Sequence, residues 1–255
     1  MAMPVVRDYR RLEQRLQRLS RRVWHVEPVG LVDGLRFYQV RPRKPRAGPT
    51  ILLSAGIHGE EPAGVEAVLT FLESSPAGAR VVNWIIWPCI NPYGWERNQR
   101  RSRQGLDINR QFRGRTRCEH ARLIKRLVAG RHFVLSLEFH EDVDGQGYYL
   151  YEGCRDRTPL APAILARVAR VMPLDPRPQI DGHRADGRGL ILRPLTRAAM
   201  RRRRQWPMAY HLFAHHTDHV LGSETPVGAP LDRRVAAHLA ALEVVIAAVS
   251  GDRGQ

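Results

Sequence analysis

Lysine is almost missing from this chain: Lys44 and Lys125 are the only two among 41 basic residues, and the formal net charge is +16. So basic a surface invites a nucleic-acid reading. The arginines, however, are spread over 7–22, 97–117 and 193–204, and no nucleic-acid-binding module is recognisable. Such enrichment follows from biased base composition as readily as from a taste for anionic substrates or polyanions. Cysteine is scarce as well. Cys89, Cys118 and Cys154 stand alone, which excludes a zinc ribbon and a disulfide framework. No apolar run reads as the roughly 18 residues of a membrane span, and the first residues turn basic without a signal-peptide core. The expectation is a cytoplasmic protein with no membrane partner.

What is present fits an ordinary globular chain: 255 residues, 43% hydrophobic and 26% charged, enough for one α/β domain with a sizeable core. The expected domain is 1–255, with 1–25 a basic N-terminal helix in which Leu12, Leu16 and Leu19 recur at helical spacing. Strands are expected at 35–40, 50–55, 81–87, 132–139, 147–151 and 189–192, and the run 209–222 also reads as strand-like. Helices are expected at 65–72, 119–130, 159–171 and 231–249. Asn91-Pro92-Tyr93-Gly94 reads as a turn, 95–117 as a long loop of the kind that is usually functional, and 201–207 as a basic surface segment. Strands alternating with helices predict an α/β fold: a mixed, largely parallel twisted sheet with helices on both faces.

In such sheets, sites form beyond the carboxyl ends of the strands. Four polar clusters are expected there. His58 and Glu61 follow the strand at 50–55, and an imidazole and a carboxylate so spaced can grip one borderline metal ion. Asp107, Asn109 and Arg110 lie in the loop after 81–87. His140 ends the strand 132–139, and Glu224 ends the run before Pro226. Together they offer the parts of metal-assisted amide hydrolysis. His211, His215, His216 and His219 fall in a segment read as strand and turn, so their spacing is not taken as a second metal site.

His58-x-x-Glu61, Asn91-Pro-x-Gly94, Gly105-x-Asp107-x-Asn109-Arg110, His140 and Glu224-Thr-Pro, in this order over about residues 50–245, resemble the zinc carboxypeptidase superfamily, with its succinylglutamate desuccinylase and aspartoacylase branch. The resemblance implies one Zn²⁺ per chain held by His58, Glu61 and His140, with Asp107 orienting His58. It implies that Asn109 and Arg110 bind the free carboxylate of the substrate, that Arg100 polarises the scissile carbonyl, and that Glu224 is the general base. The family pattern is less regular around Arg100, so Arg101 or Arg103 is an alternative there. The implied activity is that of a metallocarboxypeptidase acting on a small peptide or peptide-like amide. An N-acyl amino acid deacylase is the alternative of the same fold, and an Arg-rich nucleic-acid binder is the reading from another class.

Overall fold

The computed structural model describes residues 7–76, 82–155, 158–191 and 195–251. Val81, Leu192 and residues 1–6 of the expected N-terminal helix lie outside them. The first helix, α1 (Tyr9–Arg18), is shorter than the expected 1–25; Asp8 caps it by accepting from Arg10 N at 2.9 Å. After it comes a strand that the sequence pattern did not lead us to expect: β1 (Trp24–Val32), which pairs antiparallel with β2 (Leu35–Pro42). Pro28 and Gly30 lower the strand signal, and the register shifts between them, as an edge strand tolerates. The turn, Asp33-Gly34, has both φ angles positive (50° and 83°), the two-residue hairpin geometry that this dipeptide favours.

Next come β3 (Thr50–Ala55), α2 (Pro62–Ser74), β4 (Asn83–Trp87) and α3 (Pro92–Arg97). The expected turn at Asn91-Pro92-Tyr93-Gly94 therefore opens a helix. Asn91 caps it through Oδ1, which accepts from Gly94 N at 2.9 Å, and Pro92 fits the first helical position. The stretch 95–117 is not all loop, since it holds the end of α3 and a 3₁₀ turn at Ile108–Arg110. After α4 (Glu119–Val128), β5 spans Leu135–Asp142, so His140 lies within the strand and not just past its end. Then come β6 (Tyr149–Cys154), α5 (Ala161–Val168), a small hairpin of β7 (Gln179–Ile180) and β8 (His183–Arg184), β9 (Leu190–Ile191) and α6 (Arg197–Arg202). The strand-like run 209–222 is corrected to helix α7 (Met208–His215) and then strand β10 (His219–Pro226). Short apolar runs do not separate the two periods. The chain closes with α8 (Leu231–Gly251).

Eight strands form one sheet in the order β1-β2-β4-β3-β5-β10-β6-β9. The pairs β4/β3, β3/β5, β5/β10 and β6/β9 are parallel; β1/β2, β2/β4 and β10/β6 are antiparallel. Alternate residues of the central strands enter different cores. Ile51, Leu53, Ile86, Leu137 and Phe139 pack with α1, α2, α5 and α8, while Leu52, Ile85, Trp87 and Val220 pack with α4 and α7. Strands covered on both faces read as continuous apolar runs, which is why 50–55 was legible.

Helix α8 corrects the expectation about membrane spans. Its 21 residues, with a mean hydropathy of 1.5 over the most apolar 18-residue stretch, are long and apolar enough to cross a bilayer by length and composition. In the fold it packs against α2, α5 and β10, burying Ala237, Ala241, Leu242 and Val245. Its His238 is 0% exposed, faces Ser223 Oγ (2.9 Å) and Thr225 Oγ1 (3.3 Å), and stacks on Phe139 at 4.5 Å.

Burial first, then the charge of His140, push His238 down to about 3. Its folded value lies below the unfolded one, near 6.5. The contribution to stability is therefore complete above about pH 6.5 and is lost as the pH falls toward the folded value. For metal-free protein, the denaturant-derived stability should fall with acid more steeply in the wild type than in His238→Asn, by up to about 1.4 kcal/mol per pH unit. Parallel stability curves for the two proteins between pH 6 and pH 4 would refute this.

Candidate metal centre

β3 ends at Ala55, and the chain turns through Gly56-Ile57-His58-Gly59-Glu60 into α2. Gly56 has φ +65°, and a Cβ on it would lie 2.8 Å from the Val65 side chain. A Cβ on Gly59 would lie 2.0 Å from the backbone of Gly94, so the loop carrying His58 rests directly on the start of α3. Arg7 ties the same loop down from the N-terminal side. Its guanidinium donates to Gly59 O (2.6 Å), Glu60 O (2.9 Å) and Trp95 O (3.3 Å) and lies over the Trp95 ring. Glu61 stands at the N-cap of α2 but makes no side-chain cap bond. Glu141 takes that role by accepting from Ala63 N at 2.6 Å, and its other oxygen pairs with Arg234 of α8. The Glu61 carboxylate is thus free to face inward.

It meets two imidazoles. His58 Nδ1 is 2.6 Å from Glu61 Oε1, and His140 Nδ1 is 3.1 Å from Glu61 Oε2. All three residues are buried, and one ligand atom from each lies within 4.8 Å of the others. The remaining nitrogens turn outward to further carboxylates: His58 Nε2 to Asp107 Oδ1 and His140 Nε2 to Glu138 Oε2, each at 3.5 Å. Carboxylates behind metal-ligating imidazoles fix the tautomer and ring orientation. Asp107 was expected in this place. Glu138 was not, although it lies two residues before His140 and so on the same strand face.

Burial works to raise the Glu61 carboxyl, but His58 and His140 outweigh it and hold the group below its usual range. Burial likewise works against charge on His140, yet Glu61, Glu138 and Glu224 hold its pKa well above the ordinary value. Asp107, opposed by burial, is held low by His58, Arg100 and Arg110. Four carboxylates around two imidazoles call for a cation. Two imidazole nitrogens and one carboxylate oxygen, buried and converging, are a donor set suited to zinc with a position left over. The residues present fit the ion.

The other expected residues line one cavity of about 760 Å³ with the three candidate ligands. Glu224 of β10 stands in register with His140 of β5. Burial pushes its carboxyl up; His140 opposes this, while Glu61, Asp142 and Asp181 add to it. Arg100 lines the cavity, with Nε 3.1 Å from Asp107 Oδ2 and Nη1 3.8 Å from Glu61 Oε1. Arg101 bonds Gly105 O and Arg103 bonds Asp33 Oδ2 through its backbone; both are exposed and outside the lining. Asn109 Oδ1 accepts from Met208 N at 2.8 Å, which orients the amide at the start of α7, and Arg110 lines the cavity beside it. The basic segment contributes Arg203 and Arg204 to the wall.

The histidine cluster stays outside. Because α7 is a helix, His211 and His215 do lie one turn apart, with ring centroids separated by 5.1 Å; His216 is 5.2 Å from His211. Among the described residues, however, only His58, Glu61 and His140 bring ligand atoms together. Burial, then the charges of His216, Lys125 and His215, push His211 down to about 3.

A mixed sheet of this order, with a buried His–Glu–His group at the carboxyl ends of its central strands, presents a candidate metal site on a zinc carboxypeptidase-like fold. Residues 47–173 match the succinylglutamate desuccinylase/aspartoacylase catalytic domain. Two solved structures described provisionally as metallopeptidases are similar over nearly the whole chain. That from Shewanella amazonensis shares 24% identity (TM-score 0.78), with 94% of this chain and 91% of that one covered. That from Shewanella denitrificans shares 27% (TM-score 0.76), with 95% and 89% covered. A carboxypeptidase A from Helicoverpa armigera, at 14% identity, shares the fold (TM-score 0.69), with 97% and 74% covered. No curated protein sequence matches the chain. These likenesses bear out the resemblance to the zinc carboxypeptidase superfamily.

Proposed function

We propose that the chain is a zinc-dependent hydrolase that cleaves an amide bond next to a free carboxylate in a small peptide or peptide-like substrate. The observation carrying this reading is the joint placement of His58, Glu61, His140, Glu224, Asn109 and Arg110 around one cavity. One zinc per chain is held by His58, Glu61 and His140. When bound, the ion supplies Lewis acidity and makes water a better nucleophile at neutral pH. Glu224 accepts the proton of the attacking water at its carboxylate and passes it to the leaving amine. Its surroundings raise its basicity, and a nearby cation opposes that shift. Arg100 faces the scissile carbonyl oxygen and offsets the charge that develops there. Asn109 and Arg110 hold the carboxylate beside the scissile bond, for which a planar, permanently charged guanidinium is suited.

The match to the desuccinylase/aspartoacylase domain favours a second reading, an N-acyl amino acid deacylase. Both readings release an amino acid. Comparison of kcat/KM on a panel of dipeptides and N-acyl amino acids, with the metal measured in the same preparation, decides between them. In either case, amidating the carboxylate removes the anionic partner of the Arg110 guanidinium. Hydrogen bonds to charged groups contribute about 1.5–3 kcal/mol, so kcat/KM should fall at least about tenfold. Arg110→Ala should erase most of the difference between acid and amide. Equal rates on the two forms with the wild type would rule out a carboxylate anchor.

A further inference from the structure

Glu138 occupies the cavity wall in a way that orienting His140 does not use up. It is 3% exposed, lines the cavity, and turns Oε2 toward His140 Nε2 at 3.5 Å; its Oε1 is buried without a hydrogen-bond partner. An unpaired oxygen of a buried carboxylate is costly, so a native fold that keeps one invites a ligand for it. The neighbouring carboxylate, Glu152, offers no such opening: it accepts from Leu160 N, Ala161 N and His219 Nε2.

Glu138 shares its cavity with Asn109 and Arg110, the residues proposed to anchor the free carboxylate of the released amino acid. On the adjacent strand its register partner is Gly222, which brings no side chain into the space between. Pro207, Ala209 and Val220 line the cavity with Gly222 and give it small apolar walls. Pro207 and Ala209 flank Met208, whose backbone bonds Asn109, the residue expected beside the substrate's free carboxylate. Pro207 and Ala209 thus put a small apolar wall beside Asn109 in the same cavity that Glu138 lines. Two further carboxylates of the cavity, Asp142 and Asp181, accept from the hydroxyls of Tyr149 and Tyr151.

We infer that Glu138 selects a released amino acid with a cationic side chain, of the lysine or arginine kind. The aliphatic stem lies against Pro207, Ala209, Val220 and Gly222, and the charged end donates to Glu138 Oε1 in a charge-assisted hydrogen bond. The assignment rests on the proposed function only for the bond that is cleaved; the binding of the released amino acid can be measured without turnover.

The test uses zinc-loaded protein and two parallel readouts. Calorimetric binding of L-lysine and of L-norleucine, its uncharged counterpart, should favour lysine by at least about tenfold, and Glu138→Gln should abolish the preference. Hydrolysis of acyl-dipeptides ending in lysine and in norleucine should show the same preference in kcat/KM and the same loss. Gly222→Val, at a position where a Cβ meets Tyr151 at an ordinary 3.4 Å, should block lysine binding while retaining the metal. Equal affinity for lysine and norleucine, with neutral substrates still hydrolysed, overturns the assignment and leaves the hydrolase reading standing. Lysine preference without hydrolysis of any substrate upholds the assignment and overturns the hydrolase reading. If Glu138→Gln weakens both ligands and both substrates equally, Glu138 only positions His140 and the assignment is overturned.

Discussion

Glu224→Gln should retain its full metal content and lose about 10²–10⁴-fold in turnover, the usual contribution of a general base. Glu224 stands outside the three converging ligand atoms, so its carboxylate is not needed to hold the ion. Its place in register with His140 brings it to the edge of the metal centre and leaves it in the cavity. The amide is nearly the same shape but cannot take a proton from water. The loss should fall on kcat with little change in KM, because no substrate anchor is removed. Near wild-type turnover in the variant, on a substrate the wild type demonstrably cleaves, would remove Glu224 from the mechanism.

The second large effect is on metal content. His58→Ala and His140→Ala each delete one of three donors. Zinc held by four protein ligands binds with about 10–16 kcal/mol at neutral pH. Shared equally, that is about 2.5–4 kcal/mol per ligand, or roughly 10²–10³-fold in affinity. Both variants should therefore lose their metal on dialysis against a chelator that leaves the wild type loaded, as read by elemental analysis. Asp107→Asn should be milder, since it acts through His58; such partners typically contribute about 10–100-fold in affinity. Stoichiometric metal in both histidine variants under those conditions would place the ion elsewhere.

How far the sequence disclosed this site depended on how local each part was. His58 and Glu61 sit in one turn between a continuous apolar strand and a helix, so strand, loop and helix could be read together. His140 and Glu224 were placed by expecting strand ends to converge, and β5 and β10 are indeed neighbours in register. Glu138 was missed because it was read as one more residue of an apolar strand; the two-residue period that puts Glu138, His140 and Asp142 of β5 on one face was not applied to it. Helix α7 was misread because 209–222 is apolar without a clear period, while Pro207 just before it carried a helix-start signal that went unused. β1 was lost behind Pro28 and Gly30, although Asp33-Gly34 announced its hairpin. Arg7, Glu141 and Arg234 had no signal at all in the local pattern. Their contacts span 52 to 93 positions of sequence, and only tertiary packing brings those together.

The contact between Gly59 and Gly94 links two motifs that sequence alone presents as separate. Gly59 is required by the backbone of Gly94, and Gly94 in turn by the Asn91 side chain and the Gln99 carbonyl, so neither position can take a side chain while its surroundings stay. A larger residue at Gly59 cannot be accommodated by shrinking Gly94, because there is nothing smaller to substitute. Compensation within the pair is closed, and any tolerated change has to move α3 as a body. Such a shift would pull against Arg7, which grips Gly59 and Glu60 of the loop and Trp95 of α3 at once. The spacing between the His58 loop and α3 is therefore a fixed dimension of the protein, whereas the basic segment that brings Arg203 and Arg204 to the cavity lies outside that contact.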